Sequence, residues 1–198
     1  MLDLKPFCYK GETRPYIEAP WSAGGFTYAT NGHIIVRVPQ RDDAPENVPN
    51  QIKDPDKVFR GIKHPETYRA VTTVALPPVS DVECDECGGS GRPEHCCTCE
   101  CVCDECDGSG SVSSDEGKCV AYRGVYFALK YIRMICALPN VTLTDPTASD
   151  PMGFRFDGGE GALMALRHRV GPVVSAFSDE PDSPAQAHAP TGNNGERQ

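Results

Sequence analysis

A chain of 198 residues with 39% hydrophobic side chains has room for one medium domain with an insert, or for two small ones, and no apolar run approaches the about eighteen residues of a membrane span. Its net charge of −9 is concentrated: residues 1–80 sum to +1 and residues 118–198 to 0, while residues 81–117 set one arginine against eleven carboxylates. That acidic block excludes phosphate gripping through the middle of the chain, and the opening Met-Leu-Asp-Leu-Lys does not have the form of a signal peptide, so a cytoplasmic protein with no membrane association is expected.

In chain order, Leu2-Asp3-Leu4 alternates briefly, and an extended run is expected from Arg14 to Trp21, bounded by Pro15 and Pro20. Ala23-Gly24-Gly25 turns the chain. Phe26 to Thr30 and His33 to Val38 are β-branched and aromatic runs joined by Asn31-Gly32, a strong hairpin signal. Proline and charge between Pro39 and Pro55 give a surface loop, and Lys57 to His64 is expected to make one or two helical turns with Val58, Phe59 and Ile62 on one side. Val71 to Leu76 reads as a strand ending at Pro77-Pro78, and Lys118 to Tyr122 as its hairpin partner, with the segment between them as an enlarged hairpin tip. Val125 to Leu138 carries the one long helical pattern, stopped by Pro139-Asn140, with Lys130 and Arg133 on a shared face. Short strands follow at Val141–Thr144, Gly153–Phe156 and Ala162–Leu166. From about Gly171 the composition turns to Pro, Ser, Ala, Gly and Asn, which predicts a disordered tail.

The segment from Cys84 to Gly110 holds eight of the eleven cysteines. It repeats one pattern, Cys84-Asp-Glu-Cys87-Gly-Gly-Ser-Gly91 and Cys103-Asp-Glu-Cys106-Asp-Gly-Ser-Gly110. Two residues between paired cysteines let both thiolates of a tight turn reach one ion, and the glycines accept the positive φ of such a knuckle. The separation of the two pairs is that of a four-thiolate zinc site. Val82, Val102 and Val112 are the only other apolar residues between Asp81 and Gly117, too few to offset an ordering cost of about 1–2 kcal/mol per residue. Zinc contributes about 10–16 kcal/mol in small thiolate sites. Cys84, Cys87, Cys103 and Cys106 are therefore the expected ligands of one structural Zn²⁺. Between them, His95, Cys96, Cys99 and Cys101 are either a second zinc site or spare thiols beside the first.

The repeated Cys-x-x-Cys-x-Gly-x-Gly resembles the cysteine-rich zinc region of DnaJ-type co-chaperones, which pairs such motifs around each zinc. The middle two copies of that family are replaced here by His95-Cys96-Cys97-Thr98-Cys99-Glu100-Cys101, and no His-Pro-Asp of a J-domain occurs. Outside the insert, Val120-Ala121-Tyr122, the helical run Tyr126 to Leu138, Asn140 to Thr144, Phe154-Arg155-Phe156 and Leu163 to Arg167 resemble the closing half of a bacterial DNA polymerase sliding-clamp domain. Tyr28-Ala29-Thr30-Asn31-Gly32-His33 is similar to the Ala-Thr-Asp-Gly-His segment of clamps. The resemblance implies an α+β fold, a small antiparallel clamp-like sheet with one long helix, in which Lys130 and Arg133 face DNA.

The expected organisation is a clamp-like domain formed by residues 1–80 and 118–170, an inserted zinc module at 81–117, and a tail at 171–198. Cys-Asp-Glu-Cys sits among carboxylates that raise thiol pKa, unlike a redox pair, and His33, His64 and His168 have no nucleophile placed beside them, so no enzyme is expected. The leading reading is a zinc-binding, non-enzymatic factor of a phage or other mobile element that acts on DNA replication or repair machinery, with a protein partner and with DNA contacted through the clamp-like part. The alternative is an acidic adaptor or inhibitor, of DNA-mimic or anti-defence type, that docks its zinc module on a basic protein surface.

Overall fold

The structure, a computed structural model, describes residues 1–10, 14–46, 52–72, 75–93 and 101–177. In chain order its elements are β1 (Trp21–Ala23), β2 (Phe26–Thr30), β3 (Ile34–Pro39), α1 (Asp56–Arg60), β4 (Arg69–Ala70), β5 (Asp81–Glu83), β6 (Ser111–Ser113), β7 (Cys119–Tyr122), β8 (Val125–Ala128), α2 (Leu129–Cys136), β9 (Thr142–Leu143), β10 (Met152–Phe156) and β11 (Gly159–Leu163). Seven strands form one antiparallel sheet in the order β1-β2-β3-β11-β10-β9-β4, and β5-β6 and β7-β8 are separate two-stranded ribbons. The fold is thus mostly sheet with few helices.

Period-two alternation divides the sheet between two apolar clusters. Ile34, Val36 and Val38 of β3 join Phe154, Phe156, Leu163 and the α2 residues Leu129, Ile132 and Ile135 in the larger cluster. Ile35 of the same strand joins Trp21, Tyr28, Ala162 and Ile62 on the opposite face, with Val58 and Phe59 of α1 packed against them. Arg37 also lies on that second face. Its guanidinium is sandwiched between the Phe26 and Phe59 rings at 4.5 and 4.1 Å. It donates to Asp56 Oδ1 at 2.6 Å and pairs with Glu160, while the Tyr28 hydroxyl donates to the same Asp56 oxygen at 2.6 Å.

Local chemistry explains the turns. Asn31 Oδ1 accepts the N–H groups of His33 and Ile34 at 3.0 and 3.2 Å, and Gly32 takes φ +93, so the Asn-Gly signal does close β2 onto β3. Asp157-Gly158 turns β10 into β11, and Gly159 and Gly161 already lie within β11.

Several expected elements fall elsewhere. Pro15 nucleates a 3₁₀ turn at Pro15–Ile17, so the first strand begins only at Trp21 rather than running from Arg14. Helix α2 starts at Leu129, not Val125, because Arg123 and Gly124 both take positive φ and pair Tyr122 with Val125 in a tight hairpin that claims Val125–Ala128 as a strand. That hairpin also occupies β7, the expected partner of the Val71–Leu76 run. The described part of that run, Val71, Thr72, Ala75 and Leu76, is not in a strand, and β4 lies just before it, paired with β9; Thr73 and Val74 lie outside the described residues. The insert is instead carried on the β5-β6 ribbon. At the other end, residues 171–177 belong to the body: Val174 N–H donates to Cys119 O at 2.8 Å, Ala176 and Phe177 are buried, and Phe177 packs on Tyr122 with ring centroids 4.8 Å apart. Residues 178–198 lie outside the described residues.

Candidate metal centre

The β5-β6 ribbon brings the two copies of the repeat face to face. Cys84 N–H donates to Gly110 O at 3.0 Å, and Cys103 N–H donates to Gly91 O at 2.9 Å, so each copy closes on the end of the other. Inside each copy the bonds repeat. Gly89 N–H and Gly108 N–H donate to Cys84 O and Cys103 O, both at 3.2 Å, and the Ser90 and Ser109 hydroxyls donate to Cys87 O at 2.7 Å and Cys106 O at 2.6 Å. The two knuckles are therefore related by an approximate two-fold axis. The same left-handed conformation recurs in both, at Gly88 (φ +53) and Asp107 (φ +48), Gly89 and Gly108, Gly91 and Gly110.

On that axis the four thiols of Cys84, Cys87, Cys103 and Cys106 meet with all sulfurs within 4.8 Å of one another, each residue buried. The cross-pairs Cys84–Cys103 and Cys87–Cys106 stand at 3.9 and 3.8 Å. A tetrahedral thiolate site with metal–sulfur bonds of about 2.3 Å spaces its sulfurs about 3.8 Å apart. The four residues could thus hold one metal ion, and the spacing is consistent with zinc.

The peptide backbone aims its donors at the sulfurs. Gly91 N–H donates to Cys87 Sγ and Gly110 N–H to Cys106 Sγ, each at 3.3 Å. The N–H groups of Cys87 and Glu86 serve Cys84, and those of Cys106 and Glu105 serve Cys103. Burial pushes the Cys84 thiol up to about 12 and raises Cys103 as well, against the pull of those donors. Cys106 goes the other way, to about 7: burial opposes its ionisation, but Gly110 N–H and the neighbouring thiols outweigh it. An ion that takes the site displaces protons from buried thiols, and the backbone N–H groups then offset the thiolate charge.

Lys130 and Arg133, expected to face DNA, are engaged inside the molecule. Arg133 forms a two-pronged pair with Asp115, Nε to Oδ2 at 2.5 Å and Nη2 to Oδ1 at 2.9 Å, and Asp115 is only 5% exposed. Lys130 Nζ reaches both Glu116 oxygens at 2.9 and 3.0 Å. These pairs fasten the root of the metal module to α2, leaving a polar cleft of about 390 Å³ between them lined by Glu105, Asp107, Ser111, Ser113, Glu116 and Lys130. Nothing in the sequence singled out Asp115 and Glu116 from the other carboxylates of the insert. The sequence reading also passed over Ser90 and Ser109, although both copies carry Ser one residue before the last Gly.

Of the residues proposed for a second metal, His95, Cys96 and Cys99 lie outside the described residues; Cys101 is exposed and lies outside the four-thiol cluster. His33 stacks on Tyr131 at 5.9 Å between centroids, His64 lies 3.3 Å from Glu66 Oε1, and His168 is exposed. Among the described residues no helix is long and apolar enough to cross a membrane. Comparison of the chain with protein families, with curated proteins and with solved structures finds no match, so neither the DnaJ-type nor the clamp-like resemblance gains support beyond the metal cluster itself.

Proposed function

We propose that this is a non-enzymatic zinc protein whose acidic module docks on a basic protein surface, acting as an adaptor or inhibitor. The observation that carries the reading is the shell around the metal cluster. Asp81, Glu83, Asp85, Glu86, Asp104, Glu105 and Asp107 are all exposed, and among the described residues no cation lies within ion-pair distance of any of them. Zinc held by four thiolates adds two further negative charges beneath them. Protein ligands fill a tetrahedral site completely, which leaves no place for a reacting water and favours a structural over a catalytic ion. The replication-factor reading, in which Lys130 and Arg133 meet DNA, is the less favoured of the two, since these residues pair with Glu116 and Asp115 within the chain.

The test compares the full chain with a variant carrying Asp85→Asn, Glu86→Gln, Asp104→Asn and Glu105→Gln. On an immobilised arginine- and lysine-rich peptide the natural chain is retained at low salt and released at about 0.5 M salt, and the neutralised variant passes through while keeping its zinc. Equal retention of the two proteins sinks the proposal. Salt-sensitive retention on duplex DNA would restore the clamp-like reading.

A further inference from the structure

The module has a counterpart on the body of the same molecule. Beyond β11 the chain crosses the surface from Met164 to Val173, with Arg167, His168 and Arg169 exposed. Among the described residues no carboxylate lies within ion-pair distance of these three side chains. Backbone bonds fix the crossing at both ends: Met164 N–H to His33 O at 2.9 Å, Leu166 N–H to Tyr126 O at 2.8 Å, and Cys119 N–H to Pro172 O at 3.0 Å. Arg169 Nε donates to Gly171 O at 3.2 Å, within the turn itself. The cations are thus presented on a pre-organised segment, which lowers the ordering cost of a contact.

The apolar surface divides in the same way. Met1 apart, the exposed large apolar side chains among the described residues are Val82 and Val102 on the acidic insert, Val79 just before it, and Met164 and Val173 at the two ends of the basic crossing. Each surface therefore carries a few apolar side chains set among charges of one sign, and the signs are opposite. That is the composition of a protein contact, with apolar groups to bury and charges to orient them. A nucleic acid fits the crossing less well, because the same molecule brings the −10 of residues 81–117 to the encounter.

We propose that the Arg167-His168-Arg169 crossing is the docking surface for the metal module of a second copy of this chain. The inference rests on the reading of the module as an acidic docking element and names its partner. Carboxylates of one copy, Asp104 and Glu105 among them, meet the guanidiniums of the other, and the valines of the insert meet Met164 and Val173. Self-association is then reversible, salt-sensitive and dependent on both surfaces.

The experiment follows the mass of the zinc-loaded full chain by light scattering over a concentration series. The natural chain associates at low salt, and about 0.5 M salt weakens the association at least about tenfold. The pair Arg167→Glu and Arg169→Glu gives one monomeric variant, and Asp104→Arg with Glu105→Arg gives another, each retaining one zinc per chain as proof of folding. Mixed together, the two variants form a complex, because each supplies the surface the other lacks. A natural chain that stays monomeric at every concentration overturns the proposal, as does association that ignores the substitutions or a mixture that stays apart. Oligonucleotide binding abolished by Arg167→Glu and Arg169→Glu would assign the crossing to nucleic acid instead. A monomeric chain still retained on the basic peptide takes down the self-docking alone; a chain that does neither takes down the adaptor reading with it.

Discussion

A Cβ on Gly91 would stand 2.2 Å from Gly108 O, and one on Gly110 would stand 2.2 Å from Gly89 O. Both carbonyls belong to the opposite knuckle, so neither can retreat without opening the sulfur cluster. Gly91→Ala and Gly110→Ala are each expected to weaken zinc binding at least about tenfold, beyond the 1–2 kcal/mol, about tenfold, of left-handed strain. Gly88 is the control. It shares positive φ, faces open space, and its counterpart in the second knuckle is Asp107 at φ +48, so Gly88→Asp keeps the affinity. Competition titration with a chromophoric chelator reads all three. On the body, burial and the bond to Asp56 raise Tyr28 from its ordinary value of 10.0 to about 12. The folded state then holds that proton where the unfolded chain has lost it, so stability falls as pH rises through the window from about 10 to about 12. Tyr28→Phe flattens that limb of the stability curve, measured by urea unfolding across the window; an unchanged slope would remove Tyr28 from the cause.

At the scale of elements, the Asp115–Arg133 pair is the joint between insert and helix α2. Arg133→Ala leaves a buried carboxylate without its partner, and a loss of about 1.5–3 kcal/mol is expected for charged hydrogen bonds of this kind. Hydrogen exchange should quicken around 113–118 and the first turns of α2, while zinc content is unchanged; a loss of zinc would show that the joint also shapes the metal site. How far such elements could be read in advance depended on where their cause lay. The cysteine cluster, the hairpin at Asn31-Gly32 and the strand β10 have local causes, in cysteine spacing, Asx chemistry and alternation, and the sequence displays them. Strand β11 runs over Gly159–Leu163 rather than the expected Ala162–Leu166, because glycines that read as a turn pair with Phe156 and Phe154 across the sheet. The start of α2 was misplaced because Val125-Tyr-Phe-Ala suits a helix face or a strand equally. Arg123 at φ +49 decides between them, and arginine is not a residue that announces a left-handed turn. The described part of the Val71–Leu76 run is not in a strand, and β7, its supposed partner, pairs with β8. The joint residues Asp115 and Glu116 were hidden among eleven carboxylates, since only the fold shows which of them reach α2.

In the molecule as a whole, stability comes from two sources of different kind. The body has a continuous apolar core on the larger sheet face, whereas among the described residues of the insert the buried cluster is its four cysteines, with Val112 packed against them. Chelation of zinc is therefore expected to unfold residues 81–113 and leave the body's thermal transition within a few degrees. Serine at any one of Cys84, Cys87, Cys103 or Cys106 should do the same, read by calorimetry alongside metal analysis. Collapse of the whole chain on chelation would mean that the body borrows its stability from the ion. The approximate dyad through the module carries a further implication, for its origin. Reciprocal bonds, Cys84 to Gly110 and Cys103 to Gly91, mean that one knuckle is shaped to recognise a copy of itself, so the present insert has the form of an ancestral eight-residue unit doubled within one chain. A synthetic peptide of residues 81–93 alone should still assemble in pairs around cobalt(II), giving the absorption of a tetrahedral thiolate complex, with the covalent link between the two copies replaced by nothing more than concentration.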